Sequence, residues 1–579
     1  MRRYTICLLA AVLCVARARS VGAASPAAQP AARAALEKVL KYVPDDTHLA
    51  VVVPNLEALV AGCVALGKGV GAEQLAALTV ADLLEEPLGS SASAVDKSGA
   101  FILAVSAADT SPLMIGSVGS VEAWKGATKP ADLPGGALLF ELGDERWAAV
   151  TRENVAVFAR EKEDLQRALR SSGTFARRWT EQAADQLTGR QVVLWIDVPA
   201  WRGFLDQQMT AVTKGVHLGM AAAGPGAETA VEVWQALLEQ VRKLLSETET
   251  YVAAARVDGD GVLLRDRVTF KADGAAAKYL GEVQKTKRHL LRGLPAEGSA
   301  IALACEWEMP PGTETLNELL VKALFKLDTL KEKVGTEKLE AALSRNVAIY
   351  RKVSGYSVAV VAGPREEGLM YCGVYLTGEG GAVQRDLRAV CEMCPDLLNA
   401  WGMFPSTSLA REPEKIGGVE ADAYRFEFGL DNAQVQAAVQ AVYGKDPVLY
   451  MAPHGQGVAY AFGPREAARE LLARVLAAGG PELSQDKRVA ALFATLSPDP
   501  QACVVLDVPR LLDMVRTMTK RLGAPFPPVQ ITDKDLPLIG CAMYLDPQAV
   551  RGEVFVPAAP VKAIIGAFEK PGGDGEGPR

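Results

Sequence analysis

The chain has 579 residues, 49% of them apolar and 23% charged, with 62 lysines and arginines against 69 aspartates and glutamates. That length exceeds one ordinary core and the composition is far from the disordered class, so two to four folded domains are expected. A net charge of −7 argues against nucleic acid or anionic lipid as a partner, because both demand a basic surface.

The N-terminus reads as a signal peptide over residues 1–24. Arg2 and Arg3 precede an apolar run from Ile6 to Ala16, and Gly22-Ala23-Ala24 offers small residues for cleavage. The run is too short to cross a bilayer, which takes about 20 apolar residues. Cleavage after Ala24 removes four arginines from the 62 basic residues and leaves 58 against 69 acids, a charge of −11. No later stretch is apolar for long enough to be a membrane helix. The expectation is an extracytoplasmic protein, periplasmic or secreted, without stable membrane insertion once the leader is gone.

One phrase then occurs three times: "LAVVVPNLEALV" at 49–60, "QVVLWIDVPAWRGFL" at 191–205 and "ACVVLDVPRLLDMV" at 502–515. Each begins with a short Val-rich run, too short for a helix and suited to a buried strand. Pro54, Pro199 or Pro509 follows. Proline cannot donate to a sheet ladder, yet its fixed φ suits a first helical turn. Helical spacing starts at once, as in Leu56, Leu59, Val60 and Cys63. The phrase predicts a strand, a stop and a core-facing helix.

A longer repeat surrounds it. Residues 98–118 align without a gap to 354–374 at an offset of 256, with six of 21 positions identical. Residues 145–169 likewise parallel 448–472, each predicting two strands around a polar turn and then a helix. Residues 251–270 and 539–556 close the two halves as hairpins, the first with an Asp-Gly turn signal. The offset grows to 310 at the DVP phrase, so the second half carries insertions near 396–447. One, "GLDNAQVQAAVQAVYGKDP", predicts an extra helix, and another, "WGMFPSTSLAREPEKIGG", a loop. Hairpins outnumber crossovers. The expectation is an α+β fold of two tandem copies of an antiparallel-sheet unit, each with helices packed on one face, over 25–280 and 281–568. The Gly/Pro-rich stretch 569–579 is expected to be a disordered tail.

The start "VPDDTHLAVVVPNLEAL" and the later "WAAVTRENVAVFAREKEDLQRAL" resemble exported bacterial proteins grouped as a domain of unknown function. Their pattern is an LP-x-D-T start before a strand, followed by a hairpin and helix. The likeness covers about half the chain. It implies an extracytoplasmic α+β protein and brings no catalytic residues.

Motifs of chemistry are sparse. His48, His217, His289 and His454 show no metal-ligand spacing, and His454 reads as a solvated turn residue. Seven cysteines follow the leader. Cys391 and Cys394 form a Cys-x-x-Cys, a candidate disulfide or redox pair, but one set late in a helical stretch with Pro395 behind it. Cys372, Cys503 and Cys541 sit in apolar strands as small packing residues. Ser357 in "GYSVA" misses the nucleophile elbow, which would need glycine in place of Ala359. "GKGVG" at 67–71 follows a helix rather than a strand and is no phosphate cradle. Glu306 and Glu308 share a strand face and read as a solvated edge. Asp197 and Asp507 precede the prolines and read as helix-entry caps.

No cofactor, metal or catalytic residue is indicated. The function expected is therefore non-enzymatic, binding or structural work in the cell envelope with a protein partner or a small ligand. The alternative is an exported hydrolase using acids that spacing cannot reveal. Export has a direct check: N-terminal sequencing of the native protein should begin at Ser25, and an intact Met1 in a cytosolic fraction would contradict it.

Overall fold

The computed structural model describes residues 28–569, except 89–93, 107–111, 120–130, 134–135, 143–145, 184–188, 222–226, 284–289, 307–327, 362–367, 402–405, 430–432, 445, 456, 478–481 and 525–530. The signal peptide, His289, Glu308 and the tail from 570 onward lie outside the described residues. The fold is α+β, with long antiparallel sheets and many helices.

The first half begins with α1 (Ala28–Leu40), β1 (Thr47–Val53), α2 (Leu56–Val70) and α3 (Val80–Leu88). Strands β2 (Phe101–Ser106), β3 (Leu113–Ser117), β4 (Ala131–Asp132), β5 (Leu138–Leu142), β6 (Arg146–Val150) and β7 (Val155–Ala159) follow. Next come α4 (Lys162–Leu169), α5 (Thr174–Gln182), β8 (Val192–Asp197), α6 (Val198–Ala221) and α7 (Ala227–Glu247). The hairpin of β9 (Thr248–Asp258) and β10 (Gly261–Phe270) ends the series.

The second half runs β11 (Ser299–Glu306), α8 (Thr336–Lys352), β12 (Gly355–Val361), β13 (Met370–Leu376) and α9 (Gly380–Trp401). It continues with β14 (Ser406–Ile416), β15 (Val419–Gly429), α10 (Ala433–Tyr443), β16 (Pro447–His454) and β17 (Gly457–Pro464). Then follow α11 (Arg465–Leu476), α12 (Lys487–Thr495), β18 (Ala502–Leu506), α13 (Val508–Arg521), β19 (Ile539–Asp546) and β20 (Ala549–Pro557).

The chain divides into two compact units: Met1–Gly203 with Thr248–Lys271 and Ala549–Ile565, and Phe204–Glu247 with Ala272–Gln548 and Gly566–Arg579. The boundaries expected at 280 and 568 therefore give way to interleaved ones. The reason is β20, which pairs with β10 over nine residue pairs, from Gly261↔Pro557 to Thr269↔Ala549, and so belongs with the first unit.

In the first unit the strands neighbour one another in the order β4, β5, β6, β7, β3, β2, β1, β8, β9, β10. In the second the order is β14 to β17, then β13, β12, β11, β18, β19. The nine strands of the second order match the first nine of the first, β4 through β9, in sequence. Trp195 pairs with Ala50 as Val505 pairs with Ala302, which keeps the offset of 310 and sets Pro199 on Pro509.

The gapless alignment of 98–118 with 354–374 does not survive this test. Ala50 faces Ala104 and Ala302 faces Ala359, an offset of 255 rather than 256. A slip of one residue moves every side chain of a strand to the other face. The buried Ile102 therefore matches the buried Ser357 and not Val358.

Helices cover both faces of each sheet, not one. In the first unit α1 and α5 place Leu36, Val39, Phe175 and Trp179 on Ala50, Ile102, Val157 and Trp195. The opposite face, through Val53, Ala156, Phe158 and Val257, meets Leu56, Leu59 and Leu66 of α2 and Leu84 of α3. In the second unit α8 and α9 bring Ile349 and Val383 to Tyr424, Met451 and Val458. On the other face a Cβ at Gly540 would collide with Leu492 of α12, so glycine admits that helix. Each large side chain so buried contributes about 1.5–3 kcal/mol.

The polar stretch at 406–416, expected as a loop, is an 11-residue strand, β14, paired along its length with β15. The extra helix is α10, as the spacing predicts. The chain cut once between Arg292 and Gly293 should still elute as one particle, because β20 stays in the first unit's sheet. Fragments that separate without denaturant on gel filtration would contradict this.

Candidate functional site

The polar residues of the repeated phrase form the same corner twice. Proline at the second position of α13 permits the helix to start directly from β18, and Asp507 caps it by accepting from the Arg510 backbone N–H at 3.2 Å. That carboxylate also meets Arg488 of α12, Nη1 to Oδ2 at 3.0 Å, and is 3% exposed. In the first unit Asp197 meets Arg178 of α5 at 3.1 Å. Arg178 lies 310 residues before Arg488, as Asp197 does before Asp507. The arginines escape a motif search, but carrying the 310 offset back from the DVP phrase finds them.

Each corner also ties down the strand start beside it. Arg178 donates to the carbonyls of Asp45 and Thr47 at 2.8 and 3.2 Å. In the second unit Arg510 does this work, donating to the carbonyls of Ala296 and Ser299. His48 Nδ1 lies 3.5 Å from Asp197, and its carbonyl accepts from the Trp201 indole.

The helices that carry the arginines are capped by aspartates of different origin. Asp486 caps α12 locally, accepting from the Arg488 N–H at 2.8 Å. Asp45, distant in sequence, accepts from the N–H groups of Ser172 and Thr174 and from the Ser171 hydroxyl at the start of α5. Burial pushes both carboxyls up, but hydrogen bonds outweigh it and hold both below the usual range.

Asp422 on β15 is a third fixed acid, 3% exposed. It accepts from Arg388 Nε at 2.6 Å and Gln384 at 3.0 Å, both on α9, and from Arg411 of β14 at 2.8 and 3.0 Å. It pins the helix to two strands. Breaking such a buried pair on one side costs about 3–5 kcal/mol.

Cys391 and Cys394 lie within α9, ahead of Pro395, and both are free thiols. Burial first, then the neighbouring Cys394, Glu392 and Asp422, pushes Cys391 up to about 12; burial also raises Cys394. A redox cysteine needs the opposite shift. Cys372 and Cys503 are likewise pushed up to about 12 by burial.

Glu306 is buried at 2% exposure, not on a solvated edge, because it ends β11 opposite Gly355 of β12. Ser357 is buried inside β12. His454 closes the β16–β17 hairpin as expected but is half-buried, and burial lowers its pKa. Gly71 ends α2 in the left-handed region, φ 81°, so "GKGVG" is a helix terminus. Among the described residues no group of three His, Cys, Asp or Glu side chains is placed to hold a metal, and no helix is long and apolar enough to cross a membrane.

No family model matches the chain, and no curated protein matches it. Among solved structures, crystal form I of TP0453 is similar over 40% of this chain and 77% of that one, at 11% identity and a TM-score of 0.21. Crystal form III of TP0453 gives 40%, 79%, 10% and 0.21. Likeness at that level carries no argument about fold or function.

The corners are structural bolts, and their loss should scale with burial. Arg488→Leu should cost about 3 kcal/mol in urea unfolding. Arg178→Leu should cost about 1 kcal/mol less, since Asp197 is 20% exposed against 3% for Asp507. The caps give a pH signature. Carboxyls depressed on folding stabilise the protein above their unfolded pKa of about 4, and that contribution is lost as pH falls through the folded values. Asp486→Asn should reduce the loss between neutral pH and about pH 3; an unchanged loss would contradict the cap's role.

Proposed function

We propose that the chain is an exported, non-enzymatic protein of the cell envelope, doing binding or structural work for a protein partner or small ligand. One observation carries the reading. Three buried or half-buried acids among the described residues are bonded to guanidinium groups: Asp197 to Arg178, Asp507 to Arg488, Asp422 to Arg388 and Arg411. A general acid or base needs a proton to exchange with substrate, whereas these carboxylates hold helices to strands.

The proposal includes an internal duplication of one α+β unit. It is supported by the matching strand orders, the two Arg–Asp corners and the shared offset of 310. Membership of the exported group with the LP-x-D-T start belongs to the same proposal, as does the location outside the cytoplasm. The leader's basic start and short apolar run support that location.

The test is recovery of the mature protein from the envelope with whatever it holds. A protein or small molecule in fixed ratio, with no turnover of ester, glycoside or peptide substrates, is the expected result. Hydrolysis abolished by a single Asp or Glu substitution would overturn the reading.

A further inference from the structure

The face of the first unit's sheet that buries Val252 and Ala254 turns polar toward β20. Residues on one face of neighbouring strands follow from the register: Arg256 and Asp258 on β9, Arg265 and Arg267 on β10, Arg551 and Glu553 on β20. Glu553, fully buried, takes Arg265 at 2.6 Å and Arg551 at 3.2 Å. Asp258 takes Arg256 at 2.6 Å. Asp266 adds nothing to this face, since it points to the other side and accepts from the Gly552 N–H.

A fifth arginine joins them from the start of β8. Gln191 exchanges two hydrogen bonds with the backbone of Val257, at 2.9 and 3.0 Å, and so fixes the chain against the end of β9. That brings Arg190, just before it, close to Arg265 and Arg256, with Glu553 and Asp258 next in reach. Arg190 is partly buried, and its Nε is enclosed without a hydrogen-bond partner. Burial first, then the charges of Arg265 and Arg256, brings its pKa down to about 10. Four guanidinium groups thus share this face with Glu553 and Asp258, and Arg190 lies beside them. A buried cation without a partner is costly unless an anion completes it.

We propose that Arg190, Arg256 and Arg265 form a binding site for an oxyanion, a phosphate group either free or carried on a larger molecule. The fork of donors on a guanidinium suits tetrahedral oxyanions, and several neighbouring forks suit a doubly charged one. Arg256 and Arg265 remain 34% and 24% exposed, so the anion has a path from solvent.

The test is calorimetry on the mature protein with inorganic phosphate and, in a second arm, glycerol phosphate, against chloride at equal ionic strength. Saturable binding of phosphate is expected, and tighter binding of the ester would assign the group to a larger molecule. Arg190→Gln should weaken binding about thirtyfold, the ratio for about 2 kcal/mol, and Arg190→Lys should restore part of it. The Gln variant should fold with an unchanged or higher Tm, since it relieves repulsion between arginines. Absence of binding, wild-type binding by Arg190→Gln, or an Arg190→Gln chain that fails to fold would each overturn the proposal.

Discussion

The pairing of β10 with β20 is the constraint on which the first unit depends. Nine residue pairs join a strand near the middle of the sequence to one near its end, and Arg265 and Glu553 face each other directly within them. The match of Ala254 with Ala542, read from their partners Val193 and Cys503, gives an offset of 288 that sets Arg265 on Glu553. On the proposed duplication, corresponding strands pair antiparallel with each other. The first unit cannot complete its sheet until the last strand has been made, and contacts of such sequence separation slow folding.

The same economy holds at the strand–helix corners. A proline stops the ladder, an aspartate beside it caps the helix or meets an arginine, and that arginine ties in a neighbouring helix. The second unit adds Arg510, which grips the start of β11, where the first unit uses Arg178 for both tasks. Asp197, Asp422 and Asp507 are committed in this way to holding helices against strands. On the arginine-rich face near Arg190, the Arg190 Nε is enclosed without a hydrogen-bond partner.

Much of the architecture was legible because it rests on local signals. Short Val-rich runs, prolines at 199 and 509 and polar turns located the corners and hairpins. The extra helix at 433–443 followed from spacing. What failed did so for physical reasons. Strands such as β7, buried at all five residues, show no alternation, and that is the mark of a sheet covered on both faces. β14 was missed because its charged residues and Pro413 resemble a loop, which is how an edge strand protects itself. Glu306 looked like a solvated acid because its burial depends on β12, more than 45 residues later by register. Arg190 carried no signal, since its neighbours come from three separate strands, β9, β10 and β20.

Amide hydrogen exchange across the β10–β20 ladder tests the central claim most directly. Residues 262–268 and 550–556 should exchange together, at the slow rate of the first unit's core strands, as one cooperative element. Fast exchange in 550–556 while 252–257 and 262–268 remain protected would contradict the account, because the last strand would then be no part of that sheet.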